Sequence, residues 1–116
     1  ALVDYKKIFK QDFIIKIKNI LDEIKQKSSF VSIQKVIYYL KESEVHIFDQ
    51  NGTRIIFDLR KEESVQVEKL NIFHKNYASK VNTGIVYIDL RINEKIIYCA
   101  KDNEFQCKQN IKTIYE

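Results

Sequence analysis

The sequence has no proline, methionine or tryptophan, and only two glycines, two cysteines and two histidines. Gly52 and Gly84 stand far apart, which excludes the glycine-rich loop that cradles a phosphate. His46 and His74 each lack a second ligand at helical or hairpin spacing, so no metal site is expected. Pairing Cys99 with His74 as a nucleophile leaves the orienting third residue unsupplied. We therefore expect no catalytic residue, no cofactor and no enzymatic activity. The apolar run that ends at Leu40 falls far short of the ~20 residues that cross a bilayer, and no secretory signal is visible. The first residue is Ala1 rather than Met, and the expectation is a piece of a longer or processed protein.

Arginine is scarce too: Arg54, Arg60 and Arg91 are the three among 20 Lys and Arg residues. The net charge of +4 is spread over scattered lysines such as Lys6, Lys7, Lys10, Lys16, Lys18, Lys25 and Lys27, which suits solvated helix faces. A surface that tracks phosphates would carry more arginine with stacking aromatics interleaved, so no nucleic-acid partner is expected. The competing reading is a cytosolic basic α+β domain that contacts nucleic acid or a regulatory protein through those lysines. It requires binding to weaken steeply with salt.

What is present is an ordinary globular composition: 116 residues, 45% apolar, 12% aromatic and 31% charged. That length makes one domain, spanning residues 1–116, with enough chain to bury a core. Phe13, Ile17, Ile20, Leu21 and Ile24 recur at three- and four-residue spacing and predict an amphipathic helix from about Asp12 to Lys27. After Ser28 and Ser29 the period changes, and Phe30 to Leu40 reads as a strand. Asn51 and Gly52 then divide the apolar runs Val45 to Phe48 and Ile55 to Leu59, as in a two-residue hairpin. That register sets Asp49 opposite Arg54, Phe48 opposite Ile55 and Ile47 opposite Ile56, with His46 a neighbour of Phe57.

A second helix follows from Val67, Leu70, Phe73, His74 and Tyr77, with Glu62 and Glu63 at its positive end and Lys75 and Lys80 at the other. The last hairpin predicted is Ile85 to Ile92 with Lys95 to Ala100, turning at Asn93 and Glu94. Leu90 then faces Ile97, and Ile88 faces Cys99, on the core side. Tyr87, Asp89, Arg91, Ile96 and Tyr98 take the other side, which is either covered by the chain or open to a partner. The order helix, strand, strand, strand, helix, strand, strand lacks β-α-β alternation and predicts an α+β domain with a mainly antiparallel sheet of roughly five strands. No internal repeat or low-complexity segment stands out.

A three-residue loop at Asp102 to Glu104 would oppose Cys99 and Cys107 in a terminal hairpin, within disulfide reach. A disulfide and two free thiols remain equally open on this reading.

The succession of a strand-turn-strand over Val45 to Leu59, a helix over Glu63 to Tyr77 and the strand Tyr87, Ile88, Asp89, Leu90, Arg91 resembles the C-terminal β domain of the bacterial cell-division protein family FtsQ, called DivIB in Gram-positive bacteria. The Asp89, Leu90, Arg91 strand carries the family's closing motif. The chain departs from the family after Arg91, where Ile92, Asn93 and Glu94 replace the usual aromatic and glycine-containing turn. The resemblance implies a single-pass membrane protein, with a span and a polypeptide-transport-associated (POTRA) domain upstream and this domain outside the membrane. It implies no catalysis, but a scaffold that binds FtsB and FtsL and helps control septal peptidoglycan synthesis. By position, the edge to which FtsB adds as a strand would be Ile92, Lys95, Ile96, Ile97, Tyr98, Cys99 and Ala100, unless the tail from Lys101 onward covers it.

Overall fold

The computed structural model of the chain describes residues 5–77 and 84–115, with backbone alone over 5–10. The elements run α1 (Tyr5–Lys27), β1 (Ile33–Tyr39), β2 (Glu44–Asp49), β3 (Arg54–Asp58), α2 (Glu63–Asn76), β4 (Ile85–Asp89), β5 (Ile97–Ala100), a 3₁₀ turn (Lys101–Asn103) and α3 (Glu104–Tyr115). The domain is α+β. Its five strands stand in the order β1-β2-β3-β4-β5, all antiparallel except the parallel pair β3–β4. Lys80 and the side chains of Lys6, Lys7 and Lys10 lie outside the described residues.

The predicted helical stripe of α1 is the buried one: Ile20 and Ile24 are fully enclosed, and Phe13, Ile17 and Leu21 pack at the margin. Each fully buried aliphatic side chain contributes about 1.5–3 kcal/mol, so this stripe and not helix propensity holds α1 in place. α1 ends where the Ser28 N–H donates to Ile24 O at 2.8 Å, and the Ser28 hydroxyl ties it to α2 by donating to Asn71 Oδ1 at 2.6 Å. The core lies between these two helices and one sheet face, which presents Val45, Ile47, Ile55, Phe57, Leu59, Ile88 and Leu90.

The Asn51–Gly52 hairpin exists, but its register is displaced by one residue from the prediction. Phe48 pairs with Arg54, Ile47 with Ile55, and His46 with Ile56 rather than Phe57. The loop has three residues, because the Asp49 carboxylate accepts from the N–H groups of both Asn51 (2.8 Å) and Thr53 (2.9 Å). Gly52 supplies the positive φ of 80° that such a loop needs.

The link from β3 through α2 to β4 joins parallel strands, so the β-α-β unit that the element order did not suggest is present. At its start the buried Gln66 amide clamps Asp58: Oε1 accepts from the Asp58 N–H at 2.8 Å and Nε2 donates to Asp58 O at 2.9 Å. These bonds satisfy backbone groups where β3 leaves the sheet.

The last hairpin is also displaced by one. Ile88 pairs with Tyr98, Asp89 with Ile97 and Tyr87 with Cys99, and the strands are shorter than predicted, leaving Ile92, Lys95 and Ile96 in the connection. Beyond Asp89 the carbonyls lack ladder partners, and lysines take that role. Lys69 Nζ donates to Leu90 O at 2.9 Å and Lys61 Nζ donates to Arg91 O. The one-residue displacement turns Tyr98 to the helix side, its ring 5.1 Å from Phe73, and Cys99 to the opposite face.

The tail does not form a terminal strand. Residues Glu104–Tyr115 are a third helix, with Cys107 and Ile111 buried one turn apart against the sheet. Cys99 and Cys107 are bonded, with Cα atoms 5.7 Å apart, but across a strand and a helix and not across a hairpin.

Candidate functional site

Two features surround the strand motif that stood out in the sequence. One is the edge strand β5 beside it, and the other is a buried charged cluster beneath α3.

The cluster grows from alternation along the strands. Glu44 and His46 on β2, Asp58 on β3, and Asp89 with Arg91 at the end of β4 all point away from the helical core. Asp89 Oδ1 accepts from the Arg91 backbone N–H at 3.0 Å and from Nε at 2.8 Å, while Oδ2 accepts from Nη2 at 2.6 Å. The remaining guanidinium nitrogen, Nη1, donates to Glu44 Oε2 at 2.7 Å. A planar fork that meets two carboxylates in this way makes the stronger, charge-assisted kind of hydrogen bond.

Glu44 Oε1 accepts from the Tyr115 hydroxyl at 2.6 Å and from His46 Nε2 at 3.0 Å. Burial pushes the Glu44 carboxyl up, but the bonds from His46, Tyr115 and Arg91 overcome it and hold the group down at about 2. Burial lowers the His46 imidazole, against an opposing pull from Glu44. A neutral ring donating from Nε2 leaves Nδ1 to face Arg54 Nη1 at 3.5 Å. The Tyr115 hydroxyl is raised by burial and by its bond to Glu44.

The same local arrangement occurs a second time. Asp58 Oδ1 accepts from the Arg60 N–H at 2.9 Å and from Nε at 3.1 Å, and Oδ2 accepts from Nη2 at 3.2 Å. Asp58, Leu59, Arg60 repeats Asp89, Leu90, Arg91 in sequence, one copy at the end of each parallel strand. That repeated tripeptide was the readable signal for the cluster. Its two copies differ in burial: the Arg60 side chain is 66% exposed and the Arg91 side chain 25%.

Of the residues assigned to the partner edge, Ile97, Tyr98, Cys99 and Ala100 form β5, which among the described residues pairs only with β4. Ile97 (40% exposed) and Tyr98 (42%) stand on opposite faces of that strand. Ile96 instead packs against the core, and Ile92 and Lys95 sit in the turn, closed by the Lys95 N–H donating to Ile92 O at 3.3 Å. α3 lies over the face that holds Tyr87, where Asn110 Nδ2 donates to the Tyr87 hydroxyl at 3.1 Å. Of the outward face expected from the sequence, the Tyr87, Asp89 and Arg91 side is therefore covered by the chain itself, whereas Ile96 and Tyr98 turn to the helix side instead.

His74 is exposed and stacks on Phe30 with ring centroids 3.6 Å apart. Among the described residues, no group of three or more His, Cys, Asp or Glu side chains is placed to hold a metal ion. Compared with known proteins, the chain matches no family model, no curated protein and no solved structure.

Proposed function

We propose that this domain is a non-enzymatic scaffold that takes a segment of another protein as an added strand on the outer edge of β5. In this reading it acts as the FtsQ-like β domain does, holding FtsB and FtsL at the division site outside the membrane, anchored by an upstream span.

The observation that supports it is the position and chemistry of β5. It is a terminal strand of the sheet, next to the strand that ends in Asp89, Leu90 and Arg91. An unpaired strand edge offers a row of N–H and C=O groups to another chain, and charge is the usual guard against such pairing. β1, at the opposite edge, carries Lys35, whereas Ile97 to Ala100 carry no charge. An incoming strand would meet Ile97 on one face and Tyr98 on the other, so its alternating side chains are read on both sides.

The test is a calorimetric titration of the folded chain with a synthetic C-terminal segment of FtsB. Ile97→Glu is expected to weaken binding at least about tenfold while circular dichroism stays unchanged, because an added strand would bring an apolar side chain against that carboxylate. Tyr98→Glu serves as a second variant, with folding checked because Tyr98 also packs on Phe73. Unchanged affinity in folded Ile97→Glu would remove β5 as the binding edge. A steep fall in binding with salt would favour the lysine faces instead.

A further inference from the structure

The hydrophobic core excludes one part of the molecule. The fully buried members of the cluster under α1 and α2 come from α1, β2, β3, α2, β4 and the residues just after β3 and β4, and none of that cluster comes from β5 or α3. The C-terminal unit of edge strand and helix is therefore a separate layer on the sheet, and such peripheral units open locally while the rest stays folded.

What holds that layer is a short series of attachments. Near the start of α3, Cys107 is bonded to Cys99 of β5. Further along, Asn110 reaches Tyr87 at 3.1 Å, and in the last turn Tyr115 reaches Glu44 at 2.6 Å. Only Cys107 and Ile111 are buried among the twelve residues of α3. A helix that short does not persist by itself in water, so its attachments decide whether it forms. β5 is only four residues long and, among the described residues, has one neighbour in the sheet.

We infer that the Cys99–Cys107 bond is a thiol-sensitive latch: closed, it keeps α3 on the sheet and β5 in register, and opened by a dithiol it lets both loosen. This deepens the reading of β5 as the binding edge and rests on it for its consequence, which is that the reduced chain presents a frayed edge and loses its partner. Cys99 is the more exposed of the two residues, since Cys107 is fully buried and Cys99 is half-buried. A thiolate of the dithiol attacks Cys99 Sγ, and Cys107 leaves as a thiolate that takes up a proton. The second thiolate of the reagent then displaces Cys99, which is protonated in turn. Two electrons pass to the protein, and the dithiol becomes a disulfide.

The bond closes a loop across a sequence separation of 8. Removing that constraint from the opened state raises local opening by about 10- to 100-fold.

Hydrogen–deuterium exchange on the whole chain tests this without any partner, so failure of the binding reading leaves the result interpretable. The chain is measured oxidised, after millimolar dithiothreitol under native conditions, and after reoxidation. Amides of residues 97–100 and 104–115 should exchange about 10- to 100-fold faster when reduced, those of β2 and β3 should not change, and reoxidation should restore protection. The double variant Cys99→Ser, Cys107→Ser should match the reduced chain with or without dithiol. Unchanged protection on reduction overturns the latch, as does a bond that resists dithiol in the folded state. Loss of protection throughout β2 and β3 also overturns it, because the bond would then be a staple of the whole fold.

Discussion

Arg91 and Glu44 lie 47 positions apart in the chain, and Arg91 Nη1 donates to Glu44 Oε2 at 2.7 Å. This contact joins the end of β4 to the start of β2 across β3, which contributes Asp58 to the same face. The buried carboxylates of Glu44 and Asp89 share this one guanidinium, so its removal leaves two buried charges without the cation that bridges them.

Arg91→Ala is therefore expected to destabilise the domain by about 3 kcal/mol, read as a lower urea midpoint at unchanged slope. Arg60→Ala removes the same local bonds to Asp58 from a side chain 66% exposed and screened by solvent, and should shift the midpoint far less than Arg91→Ala. Equal losses for the two would show that the cross-strand bond to Glu44 adds nothing.

The stability of the fold should fall in acid in a defined window. The Glu44 carboxyl is held at about 2 in the folded chain against 4.5 for the free group, so the unfolded chain binds its proton first. The contribution is complete above about pH 5 and is lost as the pH falls towards 2, an effect of about 3 kcal/mol. Glu44→Gln should flatten the stability profile over that range in denaturant titrations at successive pH values. A profile as steep as that of the wild type would place the acid sensitivity elsewhere.

At the β2–β3 turn, Gly52→Ala should destabilise by about 1 kcal/mol from its φ of 80° alone, since no atom outside its own chain neighbours lies within 4 Å of the added methyl. Gly52→Asn should cost less, because asparagine tolerates that conformation. Thermal melts of the two variants compare them directly, and an alanine variant as stable as wild type would contradict the three-residue loop.

Gln66→Leu keeps the volume of the side chain but leaves the Asp58 N–H and C=O without the amide that satisfies them. The expected loss is about 2–3 kcal/mol in urea. A loss under about 0.5 kcal/mol would mean that water replaces the amide at once.

Much of the architecture was legible because it rests on local pattern. The stripe Phe13, Ile17, Ile20, Leu21, Ile24 is a helix whose buried face lies where the spacing places it, and the Val67, Leu70, Phe73 stripe behaves likewise. Both hairpins follow from the sequence, and the register of each lies one residue from the one that the turn residues predict. Loop length was the cause: the Asp49 carboxylate closes a three-residue loop, and Glu94, with a φ of 62°, stands in a connection longer than two residues. A one-residue displacement sends every side chain of a strand to the other face, which is why Tyr98 and Cys99 exchanged sides.

The third helix was readable in principle, from Cys107, Ile111 and Tyr115 at four-residue spacing. The cysteine pair favoured a hairpin because directly opposed strand residues reach disulfide distance. A strand followed by a helix reaches it equally well, with Cα atoms 5.7 Å apart. The repeated Asp-Leu-Arg tripeptide was equally visible and equally unread, because its meaning depends on two strands lying parallel.

The sequence by itself determined the apolar stripes of α1 and α2, the position of both turns and the α+β class, since each follows from residues within one or two turns of chain. Only the tertiary structure decided that β3 and β4 run parallel, that α3 covers the face opposite the core, and that Glu44, Asp89, Arg91 and Tyr115 meet in one buried network. The physical reason is burial: the Asp89–Arg91 fork is local and leaves its mark in the tripeptide, but the Glu44 carboxylate withdrawn from water finds its partners Arg91 and Tyr115 across the sheet, 47 and 71 positions away, and pairings so distant leave no local trace.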